Sequence, residues 1–352
     1  MTNVGIVGFG LAGQGFHAPL IRAAGLTVAA ISTSDPTRRA EAEQFAPGAV
    51  IVPGFEELLQ VPGLDLVVLA SPSARHAGQA LAAIEAGIPV VVDKPLGVTA
   101  EEALEVVVAA AAAGVALTVF HNRRYDPEFA TLRGLLKDNR LGTAYRLEMR
   151  WDRWRPVPKE RWREQNSAAE GGGLLLDLHS HLVDQAVQLF GPVETVYADV
   201  SSYTTVAEDD AYLICSHVSG MVSHLEASSI EGAPGPRIRL HASKGTYLLA
   251  REGDQPAAFT QFDNSGDGGH GYLVAGDDVT AIAAATGPDG DPATFYRQVA
   301  AALTAPDPQG AMPVDPRDAV HVLAVLDAAR ASAAANQVVR VLTPGSAPES
   351  SG

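Results

Sequence analysis

The stretch Val4-Gly5-Ile6-Val7-Gly8-Phe9-Gly10-Leu11-Ala12-Gly13 decides the fold of this 352-residue chain. Its apolar start predicts a buried strand, and a helical pattern follows from about Gly13 to Ala24. The intervening G-x-G-x-x-G is weak by itself, because the chain contains 34 glycines. Between a strand and a helix, however, it indicates a dinucleotide site, with the pyrophosphate at the helix N-terminus. The predicted cofactor contacts in this loop are Gly8, Gly10, Leu11, Ala12 and Gly13.

Strand and helix patterns alternate through the first third of the chain. Strands are predicted at 4–7, 27–31, 50–52, 64–70, 89–92 and 116–120. A helix at 101–113 should begin with a capping box formed by Thr99 and Glu102. Strands that are apolar throughout and separated by helices are typical of a parallel sheet covered on both faces. Residues 1–120 are therefore predicted to form an α/β, doubly wound Rossmann domain that binds a dinucleotide.

The pattern changes near His121. Strand-like segments now follow one another, at 145–151, 193–202, 212–218, 223–230, 238–242 and 246–250. This succession predicts an α+β domain at 121–342 with a large, mostly antiparallel, open-faced sheet, and a helix at 174–189 should cover one face. Further predictions are an extended surface excursion at 253–292, helices at 293–303 and 315–335, and a disordered tail at 343–352.

The composition excludes several classes of partner. Acidic residues outnumber basic ones 41 to 25, for a net charge of −16, which disfavours nucleic acid and anionic membrane surfaces. We expect no signal peptide and no transmembrane helix, since no run approaches the roughly 20 apolar residues that span a bilayer. The single Cys215, interpreted as a small buried hydrophobe, excludes a disulfide framework and a Cys-rich zinc site. No metal is predicted, and a reducing cytoplasm is the expected compartment.

The end of the second strand bears on the choice between NAD and NADP. NAD sites usually place a carboxylate there, for the ribose 2′-hydroxyl. The residues at this place are Ser32, Thr33 and Ser34, all hydroxylic. Arg38 and Arg39 follow, and a guanidinium can bind a 2′-phosphate, so NADP is the predicted cofactor. NAD stays open, because Asp35, interpreted as a turn residue or helix N-cap, would reach the ribose if the strand ended slightly later.

Two later motifs show a family resemblance. Asp93-Lys94-Pro95 follows the fifth strand, and Gly171-Gly-Gly-Leu-Leu-Leu-Asp177-Leu-His-Ser-His181 opens the helix at 174–189. With the glycine loop, they resemble the glucose-fructose oxidoreductase, inositol dehydrogenase and rhizopine-catabolism (Gfo/Idh/MocA) family, which usually has Glu where Asp93 stands. Phe16-His-Ala-Pro-Leu20, Asp152-Arg-Trp-Arg-Pro156 and Arg161-Trp-Arg163 are similar to its scyllo-inositol dehydrogenase branch. The resemblance implies a Rossmann domain followed by an open-faced domain. It also implies cofactor contacts at Ser71, Pro72, His76, Lys94 and Asn122.

Three residues have predicted catalytic roles: Lys94, Asp177 and His181. Lys94 follows a parallel strand at the sheet edge where ligands bind, and its ammonium can polarise a substrate oxygen. Asp177 and His181 are four residues apart on one helix face, so they can hold a hydroxyl and take its proton, with His181 titrating near neutral pH. Whether Asp184, on the same stripe, orients His181 stays open. His179 points to the opposite face and is interpreted as structural or supporting.

The predicted substrate contacts are Lys94, Arg123, Trp154, Arg155, Trp162, Asp177 and His181. Aromatic faces and guanidinium donors suit sugars, although the segment from Trp154 to Arg163 fits an interface or a surface loop equally well. The resemblance implies hydride transfer between a nicotinamide and a secondary alcohol or ketone of a cyclitol or sugar. Two alternatives remain, a dehydrogenase of a non-sugar carbonyl and a nucleotide-sensing regulatory protein without catalysis. The open sheet face also predicts a homodimer or homotetramer.

Overall fold

A computed structural model describes residues 2–249 and 271–345 of the chain. Its first sheet has six parallel strands in the order β3-β2-β1-β4-β5-β6. The strands are β1 (Asn3–Val7), β2 (Thr27–Ser32), β3 (Val50–Val52), β4 (Leu66–Leu69), β5 (Val90–Asp93) and β6 (Leu117–Phe120). This is the order of a dinucleotide-binding sheet, whose ligand lies where the order reverses between β1 and β4. The predicted doubly wound fold is confirmed.

Helices connect these strands. They are α1 (Ala18–Ala23), α2 (Pro36–Phe45), α3 (Phe55–Leu59), α4 (His76–Glu85) and α5 (Ala100–Ala113). At the start of α5, Thr99 Oγ1 accepts the Glu102 N–H at 3.2 Å, as predicted. The Glu102 carboxylate accepts from Val98 N–H at 2.9 Å, so the reciprocal half of the predicted capping box is wrong. The reason is that the preceding loop folds over the helix start, where a Cβ on Gly97 would lie 2.9 Å from that of Glu102.

Among the described residues, the second sheet has nine strands in the order β14-β13-β12-β11-β7-β10-β9-β8-β15. The strands are β7 (Ala144–Asp152), β8 (Val193–Ser201), β9 (Asp210–His217), β10 (Val222–Ser228), β11 (Ile238–Ala242), β12 (Gly245–Leu249), β13 (Gly271–Ala275), β14 (Asp278–Ile282) and β15 (Val339–Arg340). All neighbours are antiparallel except β7 and β10. The predicted large, mostly antiparallel sheet is therefore confirmed.

Five helices accompany the second sheet or link it to the first. They are α6 (Pro127–Lys137), α7 (Trp162–Gln165), α8 (Ser180–Phe190), α9 (Ala293–Ala302) and α10 (Pro316–Ala335). α8 buries Leu182 and Val183 in the same core as Leu147 and Met149 of β7. α10 packs against both α5 and β8, so one hydrophobic core runs from the first sheet to the second. This shared core fixes β5 relative to the start of α8, and the candidate site lies between them.

The predicted surface excursion at 253–292 is wrong in its later part. β13 and β14 form a hairpin that adds two strands to the second sheet, and Leu273 packs against the core. The Gly- and Asp-rich composition concealed this hairpin, because its turn is Gly276–Asp277 and β14 is largely exposed. Residues 253–270 of the predicted excursion lie outside the described residues.

Three smaller predictions concern the tail, the cysteine and the membrane. Thr343 Oγ1 lies 2.7 Å from His321 Nδ1, so packing contacts reach the first residue of the predicted tail, while 346–352 lie outside the described residues. Cys215 is buried, and burial raises its pKa to about 12, as expected for a small hydrophobe. Within 2–249 and 271–345, none of the helices has the length and apolar character needed to cross a bilayer. The same ranges contain no group of three or more side chains arranged as metal ligands.

Candidate active site

The glycine loop between β1 and the first helix has one backbone conformation and one close contact that favour glycine. Gly8 has a φ of +88°, and a Cβ there would lie 2.9 Å from the carbonyl oxygen of Ala70. A Cβ on Gly13 would lie 2.0 Å from the carbonyl oxygen of Gly8. The first helical turns therefore pack directly on the end of β1, and their N–H groups lie where a pyrophosphate needs donors. This loop fits a dinucleotide.

The helix that follows the loop departs from α geometry. Gly13–His17 is a π-helical turn, which runs directly into α1. His17, at its end, is fully buried, and its Nδ1 lies 2.5 Å from the Tyr296 hydroxyl of α9. Its Nε2 lies 3.8 Å from a carboxylate oxygen of Asp93. The π turn thus aims His17 at the residue that precedes Lys94.

The ribose end of the site is built by the end of β2 and the start of α2. β2 ends at Ser32, and Asp35 caps α2 by accepting from the N–H groups of Thr37 and Arg38 at 2.8 and 3.0 Å. The hydrogen bond from Arg38, together with that from Thr37, lowers the pKa of Asp35. The N-cap interpretation of Asp35 is confirmed, and its carboxylate already has two donors.

The side chains of Arg38 and Arg39, which follow this cap, lie in different places. The Arg38 guanidinium lies beside the glycine loop, since a Cβ on Gly10 would be 3.7 Å from its Cζ. Within the described residues, that guanidinium makes no hydrogen bond or ion pair. Arg39 is engaged elsewhere, with Nη2 3.3 Å from Ile51 O and Nε 3.3 Å from Glu43. Of these two arginines, Arg38 is therefore the one that lies beside the glycine loop.

Lys94 lies immediately after β5 and is 8% exposed. Its ammonium donates to the backbone carbonyl of Asp177 and lies 3.3 Å from Asp177 Oδ1. Burial lowers the pKa of Lys94, and the Asp177 charge opposes this shift. The preceding Asp93 accepts the Lys94 N–H at 2.9 Å, so the shorter carboxylate supports the lysine backbone. The peptide bond from Lys94 to Pro95 is cis.

Asp177 lies in a second π-helical turn, Leu175–His179, which leads into α8. Besides Lys94, its Oδ1 lies 3.4 Å from Arg163 Nε. Burial opposes ionisation, but the charges of Lys94 and Arg163 hold the pKa of Asp177 well below its usual range. Asp177 is therefore a partly buried, ionised carboxylate between two cations.

His181 is fully buried on α8, with its ring centroid 5.6 Å from that of Trp151. Burial, aided by the charges of Lys94 and Arg123, lowers the pKa of His181 well below 6.5. The predicted ionisation near neutral pH is therefore wrong for the free protein. The sequence pattern placed His181 on the right helix, but its solvation depends on the sheet that packs against it.

Asp184 of α8 and His179 of the preceding π-helical turn have separate partners. Asp184 accepts from Arg124 Nε at 2.9 Å and lies 3.7 Å from His121 Nδ1, so it ties α8 to the turn after β6. This engagement argues against the open alternative in which Asp184 orients His181. His179 points toward the sheet, with Nε2 3.3 Å from Leu225 O, and burial lowers its pKa to about 4. Its geometry agrees with a structural role.

The remaining predicted cofactor residues line the ends of β4 and β6. Ser71 Oγ donates to Gln79 at 2.6 Å, and Pro72 begins the 3-10 turn before α4. His76 is buried, with its ring nitrogens 2.9 Å from Ser71 O and 2.7 Å from Pro95 O. Its ring therefore braces two loops and is not open to a ligand, contrary to the predicted direct contact. Asn122, which follows His121, is buried.

The other four predicted substrate residues have different surroundings. Arg123 is ion-paired with Asp126 at 3.1 Å and lies over the Trp151 ring, 5.1 Å from its centroid. Trp154 is 60% exposed and packs on Gly232 at the protein surface. Arg155 lines a cleft that Asp177 also borders. Trp162 is covered by the Arg163 guanidinium at 4.6 Å.

Sequence reasoning missed several residues of this site. Trp151 continues the inward alternation of β7, so it was indistinguishable from a core residue, yet it lies against His181. The Arg237 guanidinium lies over the Trp151 ring, 4.3 Å from its centroid. Arg153 is buried in the wall of the cleft near Asp177. Arg153 could have been identified from the sequence, because it directly follows a buried strand. Nothing in the sequence pointed to Arg237.

A dinucleotide-binding sheet with a lysine–carboxylate pair at its carboxyl edge is the arrangement of an NAD(P)-binding oxidoreductase. The family comparison agrees. Residues 2–121 match the model of the oxidoreductase family with an NAD-binding Rossmann fold, and residues 129–248 match the GFO/IDH/MocA C-terminal domain. The chain belongs to the Gfo/Idh/MocA family of oxidoreductases.

Individual relatives share this architecture. The scyllo-inositol 2-dehydrogenase (NADP(+)) IolW of Bacillus subtilis is 31% identical over 341 residues, which cover 94% of this chain and 93% of that protein. The Escherichia coli oxidoreductase YdgJ is 39% identical over 70% of each chain. A solved oxidoreductase from Yersinia pestis superposes with a TM-score of 0.82 at 31% identity, covering 97% of both chains. Levoglucosan dehydrogenase bound to NADH and levoglucosan shares the fold, with a TM-score of 0.78 at 21% identity and coverage of 97% and 99%.

Proposed function

We propose that this protein is an NADP-preferring dehydrogenase that oxidises a secondary alcohol of a cyclitol or sugar, or reduces the corresponding ketone. The observation that carries the proposal is the pair formed by Lys94 and Asp177, 3.3 Å apart at the carboxyl edge of the Rossmann sheet. A buried ammonium there can hold the oxygen of a reacting alcohol or ketone. The Bacillus relative, named as an NADP-dependent scyllo-inositol dehydrogenase, supports this substrate class.

The three residues would share the proton chemistry. Neutral His181 accepts the proton of the alcohol, because its depressed pKa leaves the ring uncharged at neutral pH. Lys94 stabilises the developing oxyanion and relays the proton. Asp177 keeps Lys94 charged and oriented, and it can accept a hydrogen bond from a neighbouring hydroxyl. The nicotinamide, when bound, supplies the acceptor for the hydride that leaves the carbinol carbon.

The NADP preference is supported by Arg38. Its guanidinium lies beside Gly10 and lacks an ion pair among the described residues, while Asp35 is already engaged as the cap of α2. Thr33 and Ser34 can donate hydroxyl hydrogen bonds at the same end. A 2′-phosphate would thus meet a cation and hydroxyls, while Asp35 is held at the start of α2 through its Oδ1. The residues proposed for the pyrophosphate are those of the glycine loop.

Initial rates test this proposal directly. NADP and NAD are each offered with scyllo-inositol, myo-inositol, D-glucose and acidic sugars, and formation of the reduced nicotinamide is followed by absorbance. We expect reduction of NADP by at least one polyol, and a kcat lower by about 10²–10⁴ in Lys94→Ala. NADP binding by calorimetry without turnover of any polyol or its ketone would contradict the proposal and favour a nucleotide-sensing protein.

We also propose that the open face of the second sheet forms a homodimer or homotetramer interface. Arg150 and Glu226 pair across neighbouring strands of this face at 2.8 Å. Asp152, beside them, is 7% exposed, and neither of its carboxylate oxygens has a hydrogen bond within the described residues. Light scattering of the wild type should give a dimer or tetramer mass, and Arg150→Glu should shift it toward the monomer. A monomeric wild type would contradict this assembly.

A further inference from the structure

Arg163 reaches the pair of Lys94 and Asp177 from a part of the chain that contains neither residue. It lies in α7, within the connection between β7 and the π-helical turn that carries Asp177. Its Nε lies 3.4 Å from Asp177 Oδ1, and Lys94 Nζ lies 3.3 Å from the same oxygen. Two cations from different segments therefore share one carboxylate oxygen.

The backbone of Arg163 is also bound to the start of that turn. The Arg163 carbonyl accepts the Gly173 N–H at 3.1 Å, and the Gly173 carbonyl accepts the Asp177 N–H at 3.3 Å. The Arg163 guanidinium lies over the Trp162 ring, 4.6 Å from its centroid. Gly173 has a φ of +90°, and a Cβ there would lie 2.5 Å from the Glu208 carboxylate, so the start of the turn has little room to move. These contacts fix the guanidinium relative to the carboxylate.

Other ionisable groups face Lys94 from neighbouring elements. Asp93 Oδ1 accepts the Lys94 N–H at 2.9 Å and lies 3.8 Å from His17 Nε2. His121, which follows β6, and His181 of α8 are both buried, and burial lowers the pKa of each ring. At neutral pH these two rings are therefore uncharged and add no positive charge beside Lys94.

Sharing Asp177 Oδ1 weakens the attraction that holds the proton on Lys94. A second cation at the same oxygen competes for the carboxylate and repels the ammonium. The pKa of Lys94 agrees with this geometry, because burial lowers it most, the charge of Asp177 opposes that shift, and the charge of Arg163 adds to it. A group that gives and recovers protons is most effective when its pKa lies near the working pH.

We propose that Arg163 is a positioning residue of the reaction, which shares the Asp177 carboxylate with Lys94 and so makes a proton of the Lys94 ammonium easier to transfer to the substrate oxygen. The inference deepens the proposed function and rests on it. In reduction of a ketone, an N–H bond of Lys94 breaks as the O–H bond of the product forms, and the carbon receives the hydride of the reduced nicotinamide. In oxidation, Lys94 takes the hydroxyl proton as it passes one of its own to His181.

The reactivity of Lys94 tests this inference without any substrate. The full-length protein is acetylated with trace acetic anhydride at a series of pH values, and mass spectrometry of chymotryptic peptides follows the modification of Lys94. Only the uncharged amine reacts, so the midpoint of the rate against pH gives the pKa of Lys94. In Arg163→Gln this midpoint should move upward by at least about 0.5 pH unit, because a like charge is removed and Asp177 Oδ1 is left to Lys94. An unchanged or lower midpoint overturns the proposal.

Two further variants separate the charge of Arg163 from its structural contacts. Arg163→Lys keeps a cation at this position and should move the midpoint less than Arg163→Gln does, while both variants keep the main-chain contact with Gly173. Arg161→Gln removes a cation two positions earlier, one that is paired with Glu164, and should leave the midpoint unchanged. A shift as large as that of Arg163→Gln in either of the other two variants overturns the proposal.

Kinetics on a turned-over compound separate this inference from the proposed function. At pH 7, Arg163→Gln should lower kcat for ketone reduction by at least about threefold and leave the KM for NADPH within about twofold, with the alkaline limb of the profile at higher pH. Turnover with an alkaline limb unmoved in Arg163→Gln contradicts the inference and leaves the dehydrogenase standing. A Lys94 midpoint that moves in Arg163→Gln, without turnover of any polyol or ketone, contradicts the dehydrogenase and supports the shared carboxylate.

Discussion

Lys94 Nζ lies 3.3 Å from Asp177 Oδ1, although 83 positions separate the two residues in the chain. Lys94 follows β5 of the Rossmann sheet, and Asp177 lies in the π-helical turn before α8. The ammonium also donates to the Asp177 backbone carbonyl, so the contact fixes the backbone of that turn as well as its side chain. The pair therefore holds the Lys94 ammonium in one orientation, between the end of β5 and the start of α8.

Lys94→Ala should lower kcat by about 10²–10⁴, the usual effect of losing a positioned acid–base group. Cofactor affinity should stay within a few-fold, because the glycine loop and Arg38 are untouched. The readouts are steady-state kinetics and calorimetric binding of NADP. Lys137→Ala, at the exposed end of α6, is the control. Near-normal turnover in Lys94→Ala would remove this residue from the mechanism.

The pH profile of alcohol oxidation should reflect the buried environments of His181 and Lys94. Since burial puts the pKa of His181 well below 6.5, its basic form is already present at neutral pH. The part of the profile in which kcat/KM increases with increasing pH should therefore lie well below pH 6.5. Since burial lowers the pKa of Lys94 below 10.5, activity should fall at alkaline pH as the ammonium is lost. His181→Ala should lower kcat strongly and abolish the acidic limb, whereas His224→Gln on the open face should not. A limb centred between pH 6 and 8 that vanishes in His181→Ala would contradict the depressed pKa.

Cofactor preference should depend on Arg38. Charge-assisted hydrogen bonds contribute roughly 1.5–3 kcal/mol each, so NADP should exceed NAD at least tenfold in kcat/KM. Arg38→Ala should remove most of that preference, and Thr33→Asp with Arg38→Ala should reverse it. The matched control is Arg39→Ala, because Arg39 is directed at Glu43 and the Ile51 carbonyl. A wild-type enzyme that prefers NAD would contradict the assignment.

The glycine loop offers a paired test within one helix. A Cβ on Gly13 would lie 2.0 Å from the Gly8 carbonyl oxygen, so Gly13→Ala must displace the loop and should weaken NADP binding more than tenfold. A Cβ on Gly15 would meet only the Leu11 side chain, at 3.7 Å, so Gly15→Ala should bind normally. Fluorescence titration of NADPH measures both. Equal affinities would show that the close packing is not needed.

Asp152 should make stability depend on pH. Burial, together with the charge of Glu226, raises its pKa to about 7, so the folded protein binds a proton that the unfolded chain, with an ordinary value of 3.8, does not. Asp152 therefore destabilises the fold above pH 7, by on the order of 4 kcal/mol at most, and this cost disappears as the pH falls toward 3.8. Asp152→Asn should raise the melting temperature above pH 7 and not near pH 4. Asp199→Asn, exposed on β8 of the same sheet, is the control, and equal effects at both pH values would contradict the shift.

Much of the fold was predictable because its signals are local. The glycine spacing and the uninterrupted apolar strands led to the order of secondary structure in the first sheet, with boundaries within two residues of those observed. The α6 helix was missed although its signal was present, with Asp126 before Pro127 at the first helical position. The hairpin at 271–282 was missed because half of it is exposed and lacks a buried face.

The sequence predicted which residues lie at the candidate site better than it predicted their contacts. Lys94, Asp177 and His181 were found from motif spacing, and the structure brings the first two into contact. His76 was expected to contact the cofactor, but its two ring nitrogens face the backbone carbonyl oxygens of Ser71 and Pro95. Its spacing placed it at the correct sheet edge and could not show which way a buried ring would turn.

The sequence by itself determined the doubly wound sheet, the glycine loop and the cap at Asp35, since these depend on steric and hydrogen-bonding preferences of neighbouring residues. The tertiary structure alone decided that Lys94 meets Asp177, that Trp151 lies on His181, and that Arg153 is buried among other cations. Burial and charge act through space, and the groups that set them come from strands and helices far apart in the chain. The lowered pKa of His181 follows from that assembly, and no local pattern encodes it.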